Sequence, residues 1–384
     1  MANMRTTSSP SMFYTTWMIA LVAMGSAGCD IQDIIDNTSL AKIEPRYEKL
    51  VLTTTPPKLE TLTPSKVPRM NQCFERSGSM LYMMGGTDSL LRQLDTVESL
   101  DLTTGAFTTG APWPTPRFTV ISVDAAGRVC MGYGTLNFNV VDPIEVIDCY
   151  DTQTNTWSTL PPLPGKLNAG AHPLASHGGD IYAFGVADDM GLTKAVFVHE
   201  DAKGAWRQLP PMPEFCQLDH PLTIGDKIYL FDCGVDKNQK MLLAYDVVAE
   251  TWSTLAPPPA GDVFVSYGER PHAYKNGFVF RQQNTHEVWR YDITADQWSK
   301  GPPMPVDTAR ATSAIVDTKL YVRVLVTKSG AATGSIHAYD IETQTWSIAL
   351  DLPANKGNGF HAEAVGSEIH YIGEYSELAP SIGQ

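Results

Sequence analysis

Charge is scarce in this sequence. Asp, Glu, Lys and Arg make up 18% of its 384 residues, below the ~25% of ordinary soluble domains. Basic residues are the rarer kind, 28 against 42 acidic, and the formal charge is −14. Nucleic acid is therefore excluded as the main partner, because phosphate binding needs clustered Lys and Arg. Also missing are an apolar run of the ~20 residues that a spanning helix needs, a phosphate-binding glycine loop, Gly-x-Ser-x-Gly and HExxH. No Cys-x-x-Cys or His/Cys cluster points to zinc. His172 and His177, five apart on or beside a strand, would face opposite sides. No metal and no cofactor is expected. Turn formers, by contrast, are plentiful, with 30 Gly and 27 Pro. That balance disfavours coiled coils, helical repeats and long bundles. With 43% apolar residues, the length suits one large all-β domain or two average ones.

The first 28 residues have the layout of an export signal. Arg5 is the only charge before Asp30, an apolar stretch runs from Met12 to Met24, and small residues lead to Gly28. Ser26-Ala27-Gly28-Cys29 resembles the bacterial lipobox, which implies a diacylated Cys29 and anchoring through acyl chains, at ~0.8 kcal/mol per buried methylene. Residues 29–45 then read as a lipid-anchored tether and 46–384 as the folded domain. Asp30 resembles the inner-membrane retention signal of some bacteria, but that rule does not transfer between all groups, so the leaflet stays open.

The organising feature of the folded part is a repeat of about 48 residues. Trp157, Trp206, Trp252, Trp298 and Trp346 are spaced by 49, 46, 46 and 48 residues. Seven positions before them stand Tyr150, His199, Tyr245, Tyr291 and Tyr339, each followed by an acidic residue. A proline-rich stop follows each Trp. The phase extends back to Phe107, with Leu100-Asp101 seven earlier, and to Leu59, with Leu52 seven earlier. An apolar strand, a polar turn and a second strand precede each copy after the first. Each unit reads as four short antiparallel strands, a to d, with the aromatic residues on c and d between adjacent sheets and the Asp bonding the backbone of the next turn. The first copy has only c and d, and the chain ends on a and b, from Gly359 to Gly373.

This pattern resembles kelch repeats. The resemblance implies an all-β, seven-bladed kelch-type β-propeller whose last blade pairs N-terminal strands c and d with C-terminal strands a and b. Closure removes the open edges of a linear array. Kelch units usually carry two glycines after strand b. Only Gly85-Gly86 does so here, and the fifth and sixth units have Arg281 and Arg323-Val324, where those blades should bend differently.

Among the remaining cysteines, Cys130 with Cys149 and Cys216 with Cys233 read either as cross-strand disulfides, which export permits, or as buried free thiols. Cys73 is left over. In propellers the d-to-a and b-to-c connections share one face where ligands commonly bind. The starts of strand a line the channel there: Arg69, Arg117, Asn168, His220, Arg270, Arg310 and His361. Such arginines would favour an anionic ligand such as a carboxylate, with Trp113, Phe138, Phe215, Phe264 and Phe360 nearby for a sugar or peptide. The other reading is structural, with the arginines bonding neighbouring loops. Some kelch-like propellers are copper radical oxidases, but the Tyr-His dipeptide of that site is absent. The expectation is a lipid-anchored propeller of the bacterial cell envelope that recognises a protein, peptide or glycan through one face. The alternative is an enzyme acting on an acidic sugar, epimerase- or mutarotase-like, since some exported kelch-like proteins isomerise sialic acid.

Overall fold

A computed structural model describes residues 43–376 apart from 70–71, 90–91, 118–120, 133–145, 166–173, 189–190, 217–220, 235–239, 258–270, 283–285, 309, 327–334 and 353–356. The described residues form seven four-stranded antiparallel sheets. Blade 1 is Cys73–Ser77, Met80–Met84, Val97–Asp101 and Phe107–Thr109; blade 2 is Ile121–Asp124, Arg128–Gly132, Ile147–Asp151 and Thr156–Thr159. Blade 3 is Leu174–His177, Asp180–Asp188, Gly191–Glu200 and Ala205–Leu209; blade 4 is Leu222–Ile224, Lys227–Cys233, Met241–Asp246 and Thr251–Leu255. Blade 5 is His272–Tyr274, Gly277–Arg281, Val288–Asp292 and Gln297–Lys300; blade 6 is Arg310–Val316, Lys319–Val326, Ile336–Asp340 and Thr345–Leu350. Blade 7 takes Gly357–Val365 and Glu368–Ser376 from the C-terminal part and Ile43–Val51 and Lys58–Thr61 from the N-terminal part. The fold is a seven-bladed kelch-type propeller closed by both ends of the described chain. Strands a of blades 1 and 2, 2 and 3, 3 and 4, and 6 and 7 lie against one another.

Closure rests on a nine-residue antiparallel ladder from Ile43↔Ser376 to Val51↔Glu368. Strand c of blade 7 thus takes in Ile43 to Pro45, which the sequence reading assigns to the tether. A second difference lies at its far end. Leu50, not Leu52, faces Leu59. Pro56 and Pro57 stand in this c-to-d connection, and proline cannot supply the N–H groups that close the four-residue turn of other blades.

The aromatic pairs face each other across strands c and d: Tyr150↔Trp157, His199↔Trp206, Tyr245↔Trp252, Tyr291↔Trp298 and Tyr339↔Trp346. Every one of these indoles also ties its blade to the preceding one. Trp157 Nε1–H donates to the Ala111 carbonyl, Trp206 to Pro161, Trp252 to Pro210, Trp298 to Ala256 and Trp346 to Pro302, all at 2.8–3.0 Å. Each such bond contributes roughly 0.5–1.5 kcal/mol net. Asp151, Asp246, Asp292 and Asp340 accept backbone N–H groups two and three residues on, as does Asp101. Those bonds hold the aspartates below the usual carboxylate range. Glu200 departs from this: its longer side chain reaches Lys203 and Arg207 instead.

The b strands of blades 3 and 4 carry register shifts, between Phe184 and Val186 and between Leu230 and Cys233. In blades 5 and 6, where arginine replaces glycine, strands b and c pair without a shift, but so they do in blades 1, 2 and 7, which keep glycine, so the replacement does not set these blades apart in register. Arg281 and Arg323 are both buried there.

Candidate functional site

The two faces of the ring differ in their connections. On one face the a-to-b turns are as short as 78–79 and the c-to-d turns run from 152–155 to 52–57. On the other, the d-to-a connections reach 256–271 and the b-to-c connections 133–146. Several residues of the sequence-based ligand set belong to this second face. Asn168, His220 and Arg270 lie outside the described residues, as do Phe138 and Phe264. Arg310 opens strand a of blade 6 opposite Val326, with its side chain outside the description.

Arg69 and Arg117 are turned into their own blades. Arg69 donates to the carbonyls of Met83, Gly85 and Thr96 at 3.1–3.4 Å and to Glu98 Oε2 at 2.7 Å. Arg117 donates to Asp148 Oδ2 at 3.0 Å and to the Val146 carbonyl at 3.1 Å. Its guanidinium lies 4.9 Å from the Trp113 ring centroid. Asp148 also accepts from Trp113 Nε1, Thr115 and Thr159. Burial lowers both arginine pKa values, and the paired carboxylates oppose that drop. These two arginines anchor the segments that enter strand a. Gly85, at φ 62, leaves room for this packing: a Cβ there would meet the Trp113 ring at 2.9 Å.

His361 sits on strand a of blade 7, stacked on Phe74 of blade 1 at 4.6 Å between centroids. Its Nε2 lies 2.7 Å from Glu363 Oε1, and Glu363 Oε2 accepts from Arg76 of blade 1 at 3.3 Å. Burial pushes the Glu363 carboxyl up, but His361 and the Arg76 guanidinium outweigh it and hold the group below the usual range. Arg69, Arg117 and His361 thus serve separate networks and do not converge on one point.

In the repeat pattern Arg281 and Arg323 stand out only as replacements for glycine. Arg323 crosses the seam from blade 6, pairs with Glu48 and stacks on Phe360 and Tyr371 at 4.4 and 4.8 Å. Arg281 donates to His286 Nδ1 at 2.8 Å, and burial pushes its guanidinium down to about 10. With Nδ1 accepting, His286 Nε2–H donates to Asp307 Oδ1 at 2.6 Å. His286 holds a left-handed backbone, φ 60, so this bridge between blades 5 and 6 keeps a conformation that L-residues rarely adopt.

One cleft opens on this face between blades 7 and 1, lined by Pro45, Ser65, Arg69, Gln72 and Glu374 among others. Glu374 has no sequence signal that sets it apart. Side chains alternate along its strand, so Ile372 and Glu374 both face blade 1. Burial raises its carboxyl to about 8, and its Oε2 has no partner among the described residues.

Disulfides join Cys130 to Cys149 and Cys216 to Cys233; Cys73 is buried and free of a disulfide. Among the described residues no group of three His, Cys, Asp or Glu could hold a metal ion.

Comparisons with known proteins agree with this architecture. The model of the kelch motif matches residues 276–305, which lie in and around blade 5. The chain is similar to Kelch-like protein 21 of Mus musculus, 25% identical over 256 residues, covering 55% of this chain and 42% of the mouse protein. It is also similar to Kelch-like protein terF of Aspergillus terreus, 25% identical over 244 residues, covering 54% of this chain and 50% of that one. The chain thus spans half or less of the length of these curated relatives. The solved structure of YjhT superposes with a TM-score of 0.54 at 15% identity, covering 74% of this chain and 98% of YjhT. At that identity the likeness bears on the fold alone. These matches support a kelch-repeat protein.

Proposed function

We propose that this chain is a lipid-anchored binding propeller of the bacterial cell envelope. Cys29 carries the anchor, and the face of long connections receives a protein, peptide or glycan. The observation that carries the reading is the asymmetry between the faces: a ring with short turns on one side bears its longer connections on the other, and binding residues gather on loops positioned by a scaffold. Similarity to kelch-like proteins favours a protein partner. The buried arginines of blades 1 and 2 have structural work, so recognition falls to the connections and to the cleft at the seam. The anchor is tested with Cys29→Ser. Wild type should sediment with membranes and take up labelled palmitate; the variant should be soluble and unlabelled. Label that persists in the variant overturns the anchor.

A further inference from the structure

We infer that the cleft between blades 7 and 1 receives one oxygen of a carboxylate ligand, held between the Glu374 carboxyl and the Arg69 Nε–H. This deepens the binding reading above and rests on it for the choice of face, though not for the anchor. Two buried polar atoms without partners among the described residues, Glu374 Oε2 and Arg69 Nε, belong to side chains that line this cleft. A buried polar atom left unpaired is costly, and a ligand that supplies the missing partner recovers that cost. Nη1 and Nη2 of Arg69 already have partners in backbone carbonyls and Glu98, whereas Nε has none among the described residues.

The charges around Glu374 decide what it accepts. On strand c, Pro45 faces it; Glu44 and Arg46 on either side stand 3.7 Å from each other. On strand a it faces Gly359, which brings no charge. Blade 1 contributes the Arg69–Glu98 pair, balanced within itself, and Lys66 in the same segment. On its own strand, His370 lies beside the Tyr47 hydroxyl at 2.7 Å, and Tyr371 faces blade 6, where Arg323 pairs with Glu48. None of these groups forms an ion pair with Glu374 among the described residues, and burial keeps it protonated at neutral pH. It then offers an O–H to the cleft that the Arg69 side chain also lines. Two donors and no free negative charge fit an ionised oxygen, whose hydrogen bonds are charge-assisted. They reject a cation.

A carboxylate could come from a sugar acid or from a peptide C-terminus. The probes are glucuronate against glucose, and an N-acetylated tripeptide with a free C-terminus against its amide. Binding to the purified full chain is measured by calorimetry from pH 6 to 9.5. One carboxylate probe should bind better than its neutral counterpart. Its affinity should be level below pH 8 and fall about tenfold per unit above it, as Glu374 ionises. Glu374→Gln, a fixed donor, should keep the affinity of pH 7 within about threefold and lose the fall; Glu374→Ala should lose about tenfold or more. Preference for glucuronate assigns a sugar acid, and preference for the free C-terminus a protein partner. Equal binding of acid and neutral probes, no saturation by either acid, or a wild-type affinity unchanged to pH 9.5 overturns the inference. The wild-type pH series needs no variant to fold. Failure here with palmitate labelling intact refutes the cleft and leaves the anchored propeller standing.

Discussion

Blades 7, 1 and 2 and blades 3, 4 and 5 solve the same packing problem in opposite ways. Two residues before the c-strand position that faces the d-strand aromatic or Leu59, the first group has Glu48, Glu98 and Asp148, each buried and paired with an arginine. The second group has Phe197, Leu243 and Trp289 at that place, all buried. In the apolar sector one continuous core runs through blades 3, 4 and 5, from Phe184 through Tyr245 to Tyr291. Around the seam the core is divided into smaller clusters, between blades 6 and 7, 7 and 1, and 1 and 2. The ion pairs do not make the polar sector more stable, because desolvating two charges offsets most of their attraction. They position backbone: Arg69 alone collects three carbonyls of blade 1. The first and last described strands pair in this sector, and the ion pairs specify where the strands sit.

The sharpest way to break the comparison is to remove the seam. Deleting Arg46 to Pro64 takes away strand d of blade 7 and all of its strand c but Ile43 to Pro45, together with Glu48. The whole ring should lose its cooperative unfolding transition, as read by circular dichroism on heating. Survival of the transition at an unchanged temperature would show that the ring closes without these strands. A smaller effect is expected from Arg117→Ala, which leaves Asp148 charged and buried; urea unfolding should show a loss of about 3–5 kcal/mol. Copying the apolar sector with Arg117→Met and Asp148→Leu should recover most of it. The remaining cost, about 1–2 kcal/mol, comes from the unpaired Trp113 Nε1–H and Val146 carbonyl; the Thr115 and Thr159 hydroxyls also lose Asp148, but both residues are exposed and turn to water. A double variant no better than the single one would mean that charge compensation is not the role of the pair. The smallest effect tests what the sectors share. Trp157→Phe and Trp252→Phe each remove one bond to the preceding blade, and each should cost about 1 kcal/mol. Clearly unequal costs would show that the sector difference extends to the blade-to-blade bonds.

Much of the ring was readable before any coordinates, for particular reasons. The Tyr–Trp spacing is set locally, since a four-residue c-to-d turn places residues seven apart face to face. The Asp after the Tyr bonds N–H groups two and three positions on, which is also local. Leu52 misled because two prolines lengthen one turn, and periodicity carries no information about a turn that breaks it. The ligand set was harder. Arg69, Arg117 and His361 occupy matching stretches of the repeat, yet their partners, Glu98, Asp148 and Glu363, are set by strand pairing and by which neighbour each side chain meets. Nothing in the residues next to Glu374 marks it as the carboxyl facing a cleft.

The sequence by itself determined the all-β architecture, the number of blades, the closure by both chain ends and the turn chemistry, because these follow from periodicity and from contacts within a few residues. Only the tertiary structure decided which arginines are spent on carboxylates, how Arg281 reaches Asp307 through His286, and that Glu374 Oε2 is left without a partner among the described residues. Those outcomes depend on burial and on side chains hundreds of residues apart, such as Pro45 and Glu374, which the ring brings together when it closes.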